Sequence, residues 1–227
     1  MRLSHLEITN FDLHISENQP FKAILISDLH IGQYQRKHAS LLKLMENLRL
    51  LIEQHHPTHI FILGDIVSFK IYNIFSDWLK VYNTLEELNI EIHVIPGNHD
   101  RYQHKLVMVS FNGHFVHLHP DELIRIIPEW EEKIVCLGHD LHNDSKVHER
   151  NLVREWISLL RTTFSNLIPS NALLILGHLH DPYKFDDLLC QTILPFSDDL
   201  HSYQYGILEN VDNVLTLNLF FMEDHAH

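Results

Sequence analysis

The chain has 227 residues, 45% of them hydrophobic, and carries 17 Lys and Arg against 30 Asp and Glu, a formal charge of −13. That length suits one sizeable core of the soluble globular class, and no apolar run reaches the roughly 18 residues that a membrane span needs. A field of this sign repels duplex nucleic acid unless a local basic patch overrides it, whereas a metal site can still hold a small anionic substrate.

In chain order, Leu3 to Ile15 alternates apolar and polar residues and reads as a strand, with no signal-peptide core in the run MRLSHLEITNFDLHIS. Lys22 to Ser27 is an apolar strand ending at Asp28, and Ser40 to Gln54 has helical spacing. His59 to Leu63 is a short buried strand ending at Gly64. Ser76 to Asn89 reads as a helix, and Glu91 to Ile95 as a strand closed by Pro96 and Gly97. This strand–helix alternation implies βαβ units and a largely parallel sheet. Later candidates are strands at His114 to Leu118, Leu123 to Ile127 and Ile134 to Leu137, then a helix at Val147 to Leu160. Strands at Ala172 to Leu176, Thr192 to Leu194, Ser202 to Leu208 and Val214 to Phe221 complete the chain. No repeat or Pro/Gly/Ser-rich linker divides it, so residues 1–227 read as a single domain. The only cysteines, Cys136 and Cys190, cannot build a disulfide framework, and a reducing cytoplasm is the expected setting.

Polar clusters stand where apolar strands stop: Asp28-Leu29-His30, Gly64-Asp65, Gly97-Asn98-His99-Asp100 and Gly177-His178-Leu179-His180. Ligand sites in α/β sheets gather at the carboxyl ends of strands. A spacing of two on extended backbone would point Asp28 with His30, and His178 with His180, to one place. Singly these signals are weak. The chain has 21 histidines, and Asp-Leu-His also occurs at Asp12, Asp140 and Asp199. Turn formation alone would account for any one cluster.

The ordered set resembles the calcineurin-like metallophosphoesterases, whose pattern is DxH, GDxx(D/N), GNH(D/E), a lone His after a later strand, and GHxH. Here it reads DLH at 28, GDIVS at 64, GNHD at 97, GHD at 138 and GHLH at 177, across residues 22 to 180. The resemblance implies a four-layer α/β/β/α sandwich of two mixed sheets flanked by helices. It implies two divalent cations, one on Asp28, His30, Asp65 and His180, the other on Asp65, Asn98, His139 and His178. Mn²⁺ is the first choice, with Fe²⁺ or Zn²⁺ as alternatives, because the donors are imidazole and carboxylate without thiolate. The implied activity is hydrolysis of a small phosphomonoester, phosphodiester or nucleoside pyrophosphate by a hydroxide bridging the two ions.

In the family the histidine at the position of His99 donates a proton to the leaving group or stabilises phosphoryl charge. Asp100 would orient it or brace the turn. Ser68 stands where the family often has Asp or Asn. His142, His117 and His119 compete with His139 as the lone fourth-motif ligand. Arg101, beside the GNHD turn, is the first choice for a phosphate contact. Residues Gln103 to Lys133 could form a lid and Phe69 to Ile74 an apolar wall. The retromer's phosphoesterase-like subunit shows that the fold can also serve as a scaffold, so a non-catalytic interaction module is the alternative.

Overall fold

A computed structural model describes residues 9–31, 37–67, 74–102, 105–106, 113–119, 123–139, 150–181, 183–197 and 202–222. The elements run β1 (Asn10–Ile15), β2 (Lys22–Ile26), α1 (Lys37–His55), β3 (His59–Leu63), α2 (Ile74–Glu86) and β4 (Glu91–Ile95). A small hairpin follows, β5 (Arg101–Tyr102) with β6 (Lys105–Leu106). Then come β7 (Val116–Leu118), β8 (Leu123–Pro128), β9 (Val135–Gly138), α3 (Arg150–Thr163), β10 (Leu173–Leu176) and β11 (Lys184–Phe185). A 3-10 turn at Asp186–Leu188 leads to β12 (Cys190–Thr192), β13 (Phe196–Ser197), β14 (Ser202–Val211) and β15 (Val214–Phe221).

Two mixed sheets result. One has the order β1-β8-β9-β10-β12-β11; the other has β13-β14-β2-β3-β4-β7, with β15 added along β14. Strands β2, β3, β4 and β7 are mutually parallel, as are β9, β10 and β12. The central strands bury both faces, which is why KAILI and HIFIL read as unbroken apolar runs. In β2, Ala23 and Leu25 face the other sheet while Ile24 and Ile26 face the helices.

Three apolar cores follow from this alternation. The first joins α1 and α2 to the β2-β3-β4 face through Leu44, Leu48, Leu85, Ile60 and Ile92. The second lies between the sheets, with Leu25, Phe61, Ile124, Leu137 and Ile175. The third sets α3 on the other sheet through Val153, Ile157 and Leu160 against Leu174 and Leu176. The architecture is therefore the four-layer α/β/β/α sandwich. Cys136 and Cys190 are free and buried in the third core, where burial pushes both thiols up to about 12. No helix among the described residues is long and apolar enough to cross a membrane.

Several boundaries differ from the sequence expectation. Helix α2 stops at Glu86 rather than Asn89, because Asn89 takes a left-handed conformation (φ 52°) that ends helices. The strand expected at Thr192 to Leu194 lies earlier, as β12, where Cys190 pairs with Leu174. The proposed lid at Gln103 to Lys133 contains β7 and β8, whose Val116, Leu123 and Ile124 are fully buried. Those strands complete the sheets and cannot lift away, so β7 and β8 are not part of a lid, and residues 103–104, 107–112 and 120–122 lie outside the described residues. The wall at Phe69 to Ile74 has only the backbone of Ile74 among the described residues, and Ser68 and His142 lie outside them.

Candidate metal centre

The chemistry-bearing residues sit just past the carboxyl ends of five strands. Asp28 and His30 follow β2, Asp65 follows β3, Asn98 to Asp100 follow β4, His139 follows β9, and His178 and His180 follow β10. Pairing between the first two loops continues past the strands. Asp28 donates its amide to Gly64 O (3.0 Å), His30 to Asp65 O (2.9 Å) and Ile31 to Ile66 O (2.8 Å).

The backbone at these residues is not extended, which corrects the spacing-of-two argument. Asp28, His30, Asp65, His178 and His180 all have left-handed φ, between 46° and 66°. Among the described residues they are half of the ten non-glycine residues with positive φ. Such conformations cost energy and concentrate at functional sites. Two glycines make the approach possible. At Gly64 (φ 76°) a Cβ would stand 2.5 Å from the His139 ring, and at Gly97 it would stand 2.1 Å from Asp65 Oδ1.

Three groups of ligand-capable atoms interlock, each with its atoms within 4.8 Å of one another: Asp28–His30–His180, His30–Asp65–His99 and Asp65–His139–His178. Asp65 divides its oxygens between two sides. Its Oδ1 lies 3.3 Å from His139 Nε2, and its Oδ2 lies 3.9 Å from His30 Nε2 and 3.8 Å from His99 Nε2. Asp28 is divided differently. Oδ2 accepts hydrogen bonds from Ser27 Oγ and His178 N, leaving Oδ1 to face His180 Nε2 at 3.2 Å and His30 Nε2 at 3.9 Å.

His139 is fixed by its other nitrogen. A carbonyl only accepts, so Nδ1 donates to Leu63 O at 2.6 Å, which turns Nε2 toward Asn98 Oδ1 at 3.2 Å. The structure thus brings Asp28, His30, Asp65, Asn98, His139, His178 and His180 together. His117 and His119 lie elsewhere, stacked on His93 (ring centroids 5.2 Å in each case).

The two roles weighed for Asp100 part here. Its buried carboxylate accepts Gly97 N (2.8 Å), Val67 N (3.2 Å) and Ile66 N (3.3 Å), which ties the third loop to the second. That is bracing of the turn. Burial, helped by the Asp65 charge, raises its pKa to about 7. His99 donates its amide to Asp65 Oδ1 (2.8 Å) and keeps its side chain 27% exposed, within reach of a bound molecule. For Arg101 the description stops at the backbone, in β5.

The electrostatics suit cations. Burial opposes charge on Asp28 and Asp65, yet the neighbouring imidazoles, His139 foremost, hold both carboxyls below their usual range. Burial lowers His30 to about 4, so that ring is neutral near pH 7, and burial lowers His99 as well. For His180, burial is outweighed by the hydrogen bond to Asp28 together with the charges of Asp28 and Asp65, and its pKa rises. Ligands about 2.1 Å from one ion stand roughly 3–4 Å apart. The 3.2–3.9 Å separations between Nε2 atoms and carboxylate oxygens match that spacing, and several are too long for direct hydrogen bonds. The residues present therefore fit a pair of divalent cations sharing Asp65.

Ser27 and the Leu63 carbonyl were not anticipated. A hydroxyl directly before a strand-end carboxylate was a readable signal for the first. A backbone oxygen leaves no mark in sequence.

Comparison with known families places the chain. The sequence profile of the calcineurin-like phosphoesterases matches residues 21–213, and the chain belongs to that family. Solved structures align with the chain at low identity. The protein TT1561 of Thermus thermophilus is 12% identical, with 88% of this chain and 99% of that chain covered and a TM-score of 0.50. A dimetal phosphatase from Danio rerio is 13% identical, covering 88% and 96%, with a TM-score of 0.49. Zinc-complexed Vps29 from Entamoeba histolytica is 14% identical, covering 88% and 99%, with a TM-score of 0.41. No curated protein matches the chain.

Proposed function

We propose that this chain is a metal-dependent phosphoesterase acting on a small phosphomonoester, phosphodiester or nucleoside pyrophosphate, with residues 1–227 as one such domain. The observation that carries the reading is Asp65, whose two oxygens look into different groups of imidazoles. In this reading Asp28, His30, Asp65 and His180 hold one cation, and Asp65, Asn98, His139 and His178 hold the other. Nitrogen and oxygen donors without thiolate suit Mn²⁺, then Fe²⁺ or Zn²⁺. Bound there, the pair supplies Lewis-acid charge and lowers the pKa of water so that it can attack phosphorus near neutral pH.

The chain's own residues orient and protonate. His99, at the open side of Asp65, hydrogen-bonds the phosphoryl group or passes a proton to the leaving oxygen. Asp100 holds the loop that carries Asn98 and His99 against the loop that carries Asp65. Arg101, next in the chain, is the proposed phosphate contact. The acidic charge of −13 favours a small substrate over duplex nucleic acid. Two free, buried thiols suit the reducing cytoplasm proposed as its location.

The test is hydrolysis of p-nitrophenyl phosphate against bis(p-nitrophenyl) phosphate, with Mn²⁺, Fe²⁺ or Zn²⁺ and with a chelator. Chelator-sensitive turnover of one or both is expected. A cation-loaded protein inert toward both and toward nucleoside pyrophosphates would overturn the enzyme reading and leave the scaffold.

A further inference from the structure

Four loops of the site converge on one backbone atom, the carbonyl oxygen of Leu63. It accepts His139 Nδ1–H at 2.6 Å, and Ser27 Oγ lies 2.9 Å away. The same Ser27 hydroxyl bonds Asp28 Oδ2, which also takes the amide of His178 at 3.0 Å. Ser27 is fully buried. Gly177 closes the junction: a Cβ there would stand 2.0 Å from Ser27 Oγ, 2.8 Å from Leu63 O and 3.0 Å from His139 Nδ1. An unbroken path therefore runs from Asp28 in one half of the site to His139 in the other.

A hydroxyl has one hydrogen and serves one acceptor at a time. Donated to Asp28 Oδ2, it holds that carboxylate with Oδ1 turned to His30 and His180. Turned to Leu63 O, it shares the carbonyl that fixes the tautomer and aim of His139. Any charge drawn off Asp28 Oδ1 makes Oδ2 a poorer acceptor and shifts the hydroxyl toward the carbonyl.

We propose that Ser27 is a positioning residue that couples the two halves of the site through the Leu63 carbonyl, setting cation affinity at both while binding neither. The proposal rests on the two-cation reading above. The test is calorimetric titration of the chelator-treated full chain with Mn²⁺, wild type against Ser27→Ala, with far-UV circular dichroism as a check on folding. Wild type is expected to take two cations. Ser27→Ala is expected to raise both dissociation constants about tenfold or more, the range for partners that orient metal ligands. Should it not fold, Ser27→Cys, a weaker donor, carries the same test. A purely structural serine would lower the thermal midpoint and leave both constants unchanged, which overturns the coupling. Weakening confined to one cation also overturns it. Wild type that binds no divalent cation would instead overturn the reading beneath it.

Discussion

Two groups of histidines do different things, one gathered from the strand ends of both sheets and the other from the strands β3, β4 and β7 of one sheet and the residue after β7. The first is the strand-end set around Asp65. The second is a stack in which His93 on β4 lies against His59 (5.7 Å), Phe61 (5.0 Å), His117 (5.2 Å) and His119 (5.2 Å), with Phe11 of β1 capping His119 at 4.2 Å. Among the described residues no trio of ligand atoms converges there. The stack fills the space where Phe11 of one sheet meets β4 and β7 of the other. What separates the groups is carboxylate company and backbone. The site has Asp28 and Asp65 buried at its centre on left-handed backbone, whereas the carboxylate near the stack, Glu91, is 46% exposed and pairs with His117 at 2.5 Å.

The largest effect that separates the two groups is expected at Asp65. Asp65→Asn keeps the shape and removes the shared charge, so cation binding and turnover should fall by more than about a hundredfold, beyond the loss for an outer partner. Metal analysis beside kinetics reads this, and an Asp65→Asn protein with full activity would sink the shared-ligand assignment. Next comes a matched pair. His139→Ala should lose cation with its fold intact. His119→Ala should keep cation but leave His93 Nδ1, now bonded at 2.9 Å, without that partner. The cost in urea unfolding is about 1–3 kcal/mol. Equal cation loss in both variants would erase the distinction.

The stack also sets an acid limit. Burial, then His119, His59 and His117, lowers His93 to about 2 from an ordinary value of 6.5. The unfolded chain therefore binds a proton below about pH 6.5 that the folded chain refuses, and stability falls as pH drops through that range. The slope from this group approaches about 1.4 kcal/mol per pH unit. It is read on chelator-treated protein, free of competition between cations and protons, as the difference between wild type and His93→Phe, because His30 and His99 add slopes of their own; His93→Phe should flatten its share. An unchanged slope would mean that other groups set the acid limit. The smallest effect is expected at His117→Ala. Its exposed pair with Glu91 is worth under about 1 kcal/mol, so a larger loss would give the stack a role at its rim.

Much of this was legible in the chain. Apolar runs such as KAILI and HIFIL marked strands buried on both faces, and the clusters after them marked the site. Counting histidines would have misled, because His93, His117 and His119 are stacked and His14 lies within β1. Sequence left His117 and His119 as competitors of His139; His139 follows an expected strand and a glycine, and its ring lies beside Asn98. The left-handed backbone was not legible, since Asp and His there give up what Gly would supply without strain. Nor was the Leu63 carbonyl, because tertiary structure alone decides what a backbone oxygen meets. The lid expectation conflicted with the strands legible at His114 to Leu118 and Leu123 to Ile127, and those strands are built into the sheets.

The central claim is that one carboxylate, Asp65, stands between two cations. The most direct measurement is electron paramagnetic resonance of the chelator-treated protein refilled with Mn²⁺. The account predicts a spin-coupled pair in wild type, at two ions per chain, that disappears in Asp65→Asn. A spectrum of isolated Mn²⁺ ions at full loading, or a coupled pair that survives in Asp65→Asn, would contradict it.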